Sequence, residues 1–309
     1  MIIPISLCSA EVIGAGIYGD QLFNYLNDNY QAPNTLGYNN ARDVMYSMID
    51  IQPGNQLEGV YSGYTITLDL SQDPSTDAYN KGINCEHTWP QSFGAGSEPM
   101  KSDMHHLFPT KSNVNSSRGN DPFEEISDSD TDKWYKDDYY IETIPTADID
   151  EYAEKFNPPN QEDERFEPRE EQKGNTARAM FYFYTIYEDE TTEDFWNLQK
   201  QTLIDWHLYD LPDPTEINRT NLIESYQGNI NPYVIDPSLV GRVFLVQEGA
   251  LAGDVNQDQA TDVLDVVMNI GYIIDEINIS QAQFVIADIN YDLNLDVLDV
   301  VILVDIILN

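Results

Sequence analysis

Cysteine is scarce in this chain of 309 residues: only Cys8 and Cys85 are present. A disulfide framework is therefore excluded as the main source of stability. Basic residues are also scarce, with 15 Lys and Arg against 54 Asp and Glu and a net charge of -39. That balance argues against a general nucleic-acid coat or an anionic membrane surface as partner. It does not exclude a nucleic-acid substrate, because a metal ion and a local patch can neutralise phosphate. No run is long and apolar enough to span a bilayer. From Asp254 to Asn309 there is no Lys or Arg at all.

A hydrophobic content of 41%, with 20 Tyr and 11 Phe, supports a packed core rather than global disorder. The length suits one large domain and a small one. Residues 1–10 (MIIPISLCSA) are apolar and end in small residues, like the remnant of a signal peptide cleaved after Ala10 and so of a secreted protein. A buried first strand is the competing reading, and a lipid anchor on Cys8 is disfavoured by the bulky Leu7. Domain boundaries are expected at 11–245, with a linker at 246–253 and a second domain at 254–309.

In the first domain, apolar spacing predicts helices at 17–30, 41–51, 174–187, 193–206 and 218–226. The alternating segment 60–70 predicts a strand, and 73–82 a loop. The acidic segments 128–134 and 157–172 read as solvated loops. The class is α+β, rich in helix and loop.

The C-terminal 56 residues repeat internally: GDVNQDQATDVLDVV is followed 34 residues later by ADINYDLNLDVLDVV. Oxygen side chains stand at Asp254, Asn256, Asp258, Asp262 and Asp265, and again at Asp288, Asn290, Asp292, Asp296 and Asp299. Counted from the first Asp these are positions 1, 3, 5, 9 and 12, with Ala260 and Asn294 at position 7 offering main-chain carbonyls. That spacing wraps one Ca²⁺ per loop, so two Ca²⁺ are expected. A single following helix makes each copy a half EF-hand. The segment resembles a type I dockerin, an all-α calcium-folded module, and the resemblance implies a cohesin-type partner. It departs where Gln259 and Leu293 replace the usual glycine, and where Val263-Leu264 and Val297-Leu298 replace hydroxyl residues. A calcium-stapled module without a partner stands beside that reading.

Three of the four histidines, His87, His105 and His106, fall between Asn84 and Phe123. This is also the least acidic part of the chain: between Asn80 and Asn120 the ionised side chains are Lys81, Lys101, Lys111 and Arg118 against Glu86, Glu98 and Asp103. Glu86-His87 precedes an apolar stretch, DMHHLFPT, read as a strand carrying His105 and His106, and then NVNSSRGN, read as a helix start. Such a hairpin and helix place an imidazole opposite a carboxylate–amide metal site. A neutral His removes a proton from water, and a hard divalent ion stabilises charge on phosphorus and the leaving oxygen. A zinc site would be the alternative, but the spacing fits no standard zinc pattern.

The stretches CEHTWPQS, SDMHHLFPT and NVNSSRGN resemble the endonuclease I family of secreted bacterial nucleases, within the ββα-metal (His-Me finger) superfamily. The segments FEPREEQKGNTARAMFYFY and YQGNINPYVIDP extend the likeness over most of 12–245. The resemblance implies Mg²⁺-dependent, largely sequence-nonspecific hydrolysis of DNA and often RNA. It makes His87 the general base and Glu86 and Asn115 the metal ligands. Arg118, in the same motif, is expected to clamp a phosphate, and His105 and His106 to support the site. Relatives often carry disulfides, which this chain cannot form. The competing reading is a non-catalytic, calcium-dependent surface or scaffold-associated protein. Oligomeric state leaves no mark in the sequence.

Overall fold

The computed structural model describes residues 12–309, so the signal-like residues 1–10 and Cys8 lie outside the described residues. The chain forms two compact units: Tyr30–Asn231, and a second that joins the N-terminal residues up to Asn29 to Pro232–Asn309. The helix α1 (Gly19–Asn29) lies in the second of these units.

The larger unit opens with α2 (Tyr38–Val44), which runs into a wide turn of helix at Met45–Ile49. A two-stranded ribbon follows, β1 (Gln56–Glu58) and β2 (Thr65–Thr67), paired antiparallel with Leu57 opposite Ile66. The strand expected over 60–70 is thus short. Gly63, at φ +73°, sits in the turn before β2. The expected loop at 73–82 contains a helix, α3 (Pro74–Asn80). Asp73 caps it by accepting the Thr76 N–H at 2.8 Å, and Pro74 takes the first position, where no N–H is needed.

The hairpin that carries the site is β3 (Ile83–His87) and β4 (Leu107–Lys111), antiparallel with His87 opposite Leu107 and Glu86 opposite Phe108. Helix α4 (Ser112–Arg118) follows β4 without a break. This is the expected strand–strand–helix order. His105 and His106, however, lie in a 3-10 turn, Met104–His106, before β4 begins. Asp103 stops the strand there: its Oδ1 accepts the His105 N–H at 3.0 Å and so turns the chain.

The two acidic segments do not stay as loops. They supply parts of a four-stranded antiparallel sheet in the order β6-β5-β7-β8: β5 (Lys133–Lys136), β6 (Tyr139–Ile141), β7 (Ala153–Phe156) and β8 (Arg165–Glu167). Aromatic residues account for the difference, because Trp134 and Phe166 are fully buried despite their charged neighbours.

The core helix is α5 (Glu170–Ile186), buried on nearly every side. Lys173 on α5 bonds Glu125, Glu167 and Glu170 at 2.8, 2.7 and 2.7 Å. Those three carboxylates gather tightly enough for a metal ion, but the ammonium already supplies the cation. The helix expected over 193–206 breaks into α6 (Glu193–Asn197) and α7 (Lys200–Tyr209), and α8 (Pro214–Gln227) closes the unit. Trp89 is fully buried and stacks on Phe183 at 5.0 Å, a packing role.

In the second unit α9 (Pro232–Ile235) and α10 (Ser238–Phe244) precede the repeat helices α11 (Val263–Ile273), α12 (Gln281–Ala287) and α13 (Val297–Leu308). Tyr18, Val246 and Ile286 form one small core; Val255, Ala287 and Leu295 form another. Arg242 is buried and bonds the Ile13 carbonyl at 2.7 Å, and it lies 3.4 Å from Asp236. This buried guanidinium explains why the N-terminal residues join this unit. None of the described helices is long and apolar enough to cross a membrane.

Candidate active site

His87 is the last residue of β3 and is buried. Its Nε2 lies 3.1 Å from the Lys101 carbonyl oxygen. A carbonyl only accepts, so Nε2 carries the proton and Nδ1 is the basic nitrogen. The nearest side-chain partner of Nδ1 is the Gln91 amide at 3.4 Å, a weak contact. Burial, reinforced by the neighbouring His106, lowers the His87 pKa to about 3. The imidazole is therefore neutral at ordinary pH, as a proton acceptor must be.

His106 is the second ring of the pair, 5.4 Å from His87 in an edge-on arrangement. Its Nε2 donates to the Met100 carbonyl at 2.6 Å. Two consecutive carbonyls, of Met100 and Lys101, thus fix the tautomers of two histidines. The segment between the hairpin strands acts as a strap over both rings. His105 points elsewhere, donating from Nε2 to the Asn229 carbonyl at 3.1 Å. Asp103 anchors the strap from below. Its Oδ1 accepts from Gln227 at 2.7 Å, and its Oδ2 from Tyr182 and Tyr187 at 2.7 and 2.6 Å. Burial alone would raise the Asp103 pKa, yet the neighbouring histidines and these donors hold it below the ordinary value.

Glu86 lies on β3, and Asn115 on α4 bonds the same strand at Asn84 and Cys85. Both hydrogens of the Asn115 amide are used, one on Asn84 Oδ1 at 2.9 Å and one on the Cys85 carbonyl at 3.1 Å. Among the described residues no hydrogen bond reaches the amide oxygen. Glu86 is buried and its Oε1 accepts the Tyr61 hydroxyl at 3.0 Å, with Arg118 3.2 Å away. Among the described residues no hydrogen bond reaches Oε2. Burial raises the Glu86 pKa to about 7, with Arg118 and Tyr61 opposing the shift. One carboxylate oxygen and one amide oxygen, both hard donors, suit a divalent ion that keeps several waters. A cation beside a buried carboxylate would also stabilise its charged form.

Arg118 departs from expectation. Its guanidinium is 1% exposed and faces inward. It donates to the His87 and Thr88 carbonyls at 3.1 and 2.8 Å, besides facing Glu86. The end of β3 is where main-chain carbonyls are left without ladder partners, and the guanidinium fills that need. Arg118 thus holds the Glu86 carboxylate and the main chain at His87 and Thr88, with its guanidinium turned away from solvent. The residue beside His87 that sequence reading missed is Tyr38, whose ring centroid is 5.3 Å away. It is 49 positions upstream, on a different element, with no local signal.

The C-terminal loops fold alike. Asp254 accepts the N–H groups of Asp258 and Gln259 at 3.0 and 2.9 Å, and Asp288 those of Asp292 and Leu293 at 3.1 and 2.9 Å. Asp265 and Asp299 each reach back to the N–H of Asp262 and Asp296 at 2.9 Å. Gln259 and Leu293 hold the left-handed conformation of the usual glycine, at φ +70° and +63°. Burial, with Asp299 and Asp292 nearby, pushes the Asp288 pKa up to about 7. Carboxylates crowded in this way fit a calcium ion.

Two comparisons with known proteins bear on this geometry. An extracellular ribonuclease of Bacillus subtilis (strain 168) is 30% identical over 178 residues, covering 52% of this chain and 54% of the relative. An extracellular ribonuclease of Bacillus amyloliquefaciens is 30% identical over 200 residues, covering 58% and 61%. The chain thus spans between half and two thirds of the length of these curated relatives. Residues 18–238 match endonuclease I, an interval that contains Glu86, His87, Asn115 and Arg118, and the chain belongs to the endonuclease I family.

Proposed function

We propose that this protein is a secreted, metal-dependent endonuclease that hydrolyses phosphodiester bonds of nucleic acid with little sequence preference. The observation that carries the proposal is the His87 imidazole held by the Lys101 carbonyl at 3.1 Å, with its Nδ1 left basic. It stands one residue from the buried Glu86. His87 Nδ1 takes a proton from the attacking water. Glu86 Oε2 and the Asn115 amide oxygen would hold Mg²⁺, which supplies charge stabilisation at phosphorus and the leaving oxygen. Arg118 and Tyr61 hold Glu86, and the strap at Met100 and Lys101 holds the imidazole in its tautomer. The names of the relatives support RNA as a substrate beside DNA, and support secretion.

For the C-terminal repeat we infer a module that binds two Ca²⁺. Asp254, Asn256, Asp258, Ala260, Asp262 and Asp265 serve one loop, and Asp288, Asn290, Asp292, Asn294, Asp296 and Asp299 the other. The matched loop hydrogen bonds support it. Val263, Leu264 and Val267, and their counterparts Val297, Leu298 and Val301, are exposed at equivalent places. Exposed apolar residues repeated in this way favour a protein partner, of the cohesin type. This feature also favours the second reading, a calcium-dependent surface or scaffold-associated protein whose first unit only binds.

Cleavage of a supercoiled plasmid and of a structured RNA, each with Mg²⁺ and with EDTA, separates the two readings. Metal-dependent nicking or RNA breakdown is expected. Intact substrates under every divalent ion would leave the binding protein as the answer.

A further inference from the structure

Because Arg118 is turned inward, the phosphate beside His87 needs another cation. We propose that Arg42 and Lys101, gathered on the ring of Tyr38, hold the backbone phosphate of the nucleic acid next to His87. This rests on the nuclease reading and names the residues that receive the polyanion.

Charge and position together point to these two residues: Lys111 and Lys133 also sit on tyrosine rings without a described ion pair, but the ring shared by Arg42 and Lys101 is the one beside His87. In a chain with 54 acidic and 15 basic side chains, most cations on the surface find a carboxylate. Among the described residues neither Arg42 nor Lys101 forms an ion pair. Their common neighbour is Tyr38: the Arg42 guanidinium carbon lies 4.5 Å from its ring centroid and the Lys101 ammonium 5.2 Å. The same ring is 5.3 Å from His87. Lys101 therefore serves the site twice, with its carbonyl on His87 Nε2 and its side chain toward Tyr38.

Two further observations fit a waiting anion. The Arg42 fork is oriented, since Nη2 donates to Asn39 Oδ1 at 2.8 Å. Its Nε is buried without a hydrogen-bond partner. The Nε atoms of Arg118 and Arg242 are likewise without a partner, so it is the place of Arg42 beside Tyr38 and His87 that favours an anion there. A guanidinium edge made of Nε and Nη matches two phosphate oxygens.

The nearby Glu98 is bonded to neutral groups rather than to either cation. Its Oε1 accepts the Tyr38 N–H at 3.1 Å and its Oε2 accepts from the Ser102 hydroxyl. Glu98 thereby ties the start of α2, which carries Arg42, to the strap that carries Lys101. An aromatic ring between two cations is also a surface on which a base stacks while its phosphates are held.

The alternative is that both cations merely pack on Tyr38. Salt dependence distinguishes the two, because each phosphate contact releases counterions and packing does not. Binding of a fluorescent single-stranded oligonucleotide is measured across a salt series in the His87→Ala background, alone and with Arg42→Gln or Lys101→Gln. KM and kcat are measured for the same two changes in the active protein. Each change should make the log–log salt slope shallower by about one and raise KM more than kcat falls. Arg42→Lys and Lys101→Arg should restore most of the slope, and Lys136→Gln, on an ion pair with Glu151, should not alter it. Wild-type slopes and KM values in both variants would overturn the proposal. A wild-type protein that cleaves nothing would refute the nuclease reading separately, while the binding slopes would still decide the roles of Arg42 and Lys101.

Discussion

Arg118 faces Glu86 at 3.2 Å in the interior of the larger unit, with both side chains at least 98% buried. A buried pair of this kind is sensitive to loss of one member, because the remaining charge has no solvent. The pair connects α4 to β3, and so connects the helix of Asn115 to the strand of Glu86 and His87.

Arg118→Ala should therefore lower stability by about 3–5 kcal/mol and reduce cleavage with it. Urea unfolding of the variant checks this. A variant that unfolds like wild type yet binds nucleic acid weakly would restore the phosphate-clamp role.

Glu154 and Glu167 face each other across β7 and β8. Burial and then the Glu167 charge raise the Glu154 pKa to about 8; burial, against Lys173, raises that of Glu167 to about 7. Folding thus takes up a proton at Glu154. The stability gained is full below the ordinary glutamate pKa of about 4.3 and is lost as pH rises through about 8. Glu154→Gln removes this dependence. Between pH 6 and 9 the unfolding free energy of wild type should fall more steeply than that of the variant, by up to about 1.4 kcal/mol per pH unit. Parallel curves would contradict the assignment.

Calcium should bind twice per chain and stabilise the C-terminal helices. At free calcium a hundredfold above Kd, the gain is about 2.7 kcal/mol per site. Asp292 accepts the Asn294 N–H at 2.9 Å and lies in the second loop only. Isothermal titration of Asp292→Ala should show one site where wild type shows two. No calcium heat in wild type would remove the proposed metal role of the module.

The candidate site was legible where chemistry and adjacency coincide. Glu86-His87 and the later Asn115 sit on β3 and α4 as their spacing suggested. Arg118 was not legible, because its direction depends on the free carbonyls at the end of β3. Nor was the turn at His105 and His106, set by Asp103 through partners on α5 and α8. Charge obscured β5 and β8, since the buried Trp134 and Phe166 stand in short strands that begin and end on ionic residues. Tyr38 was silent because only tertiary folding brings it to His87.

The central claim is that His87 takes the proton from water while other residues hold the ion and the substrate. Its most direct measurement is single-turnover cleavage by His87→Ala beside wild type at saturating Mg²⁺, with unfolding and oligonucleotide binding measured on the same samples. The account predicts a fall in rate of about a hundredfold or more, with binding and stability close to wild type. Cleavage at the wild-type rate would contradict it.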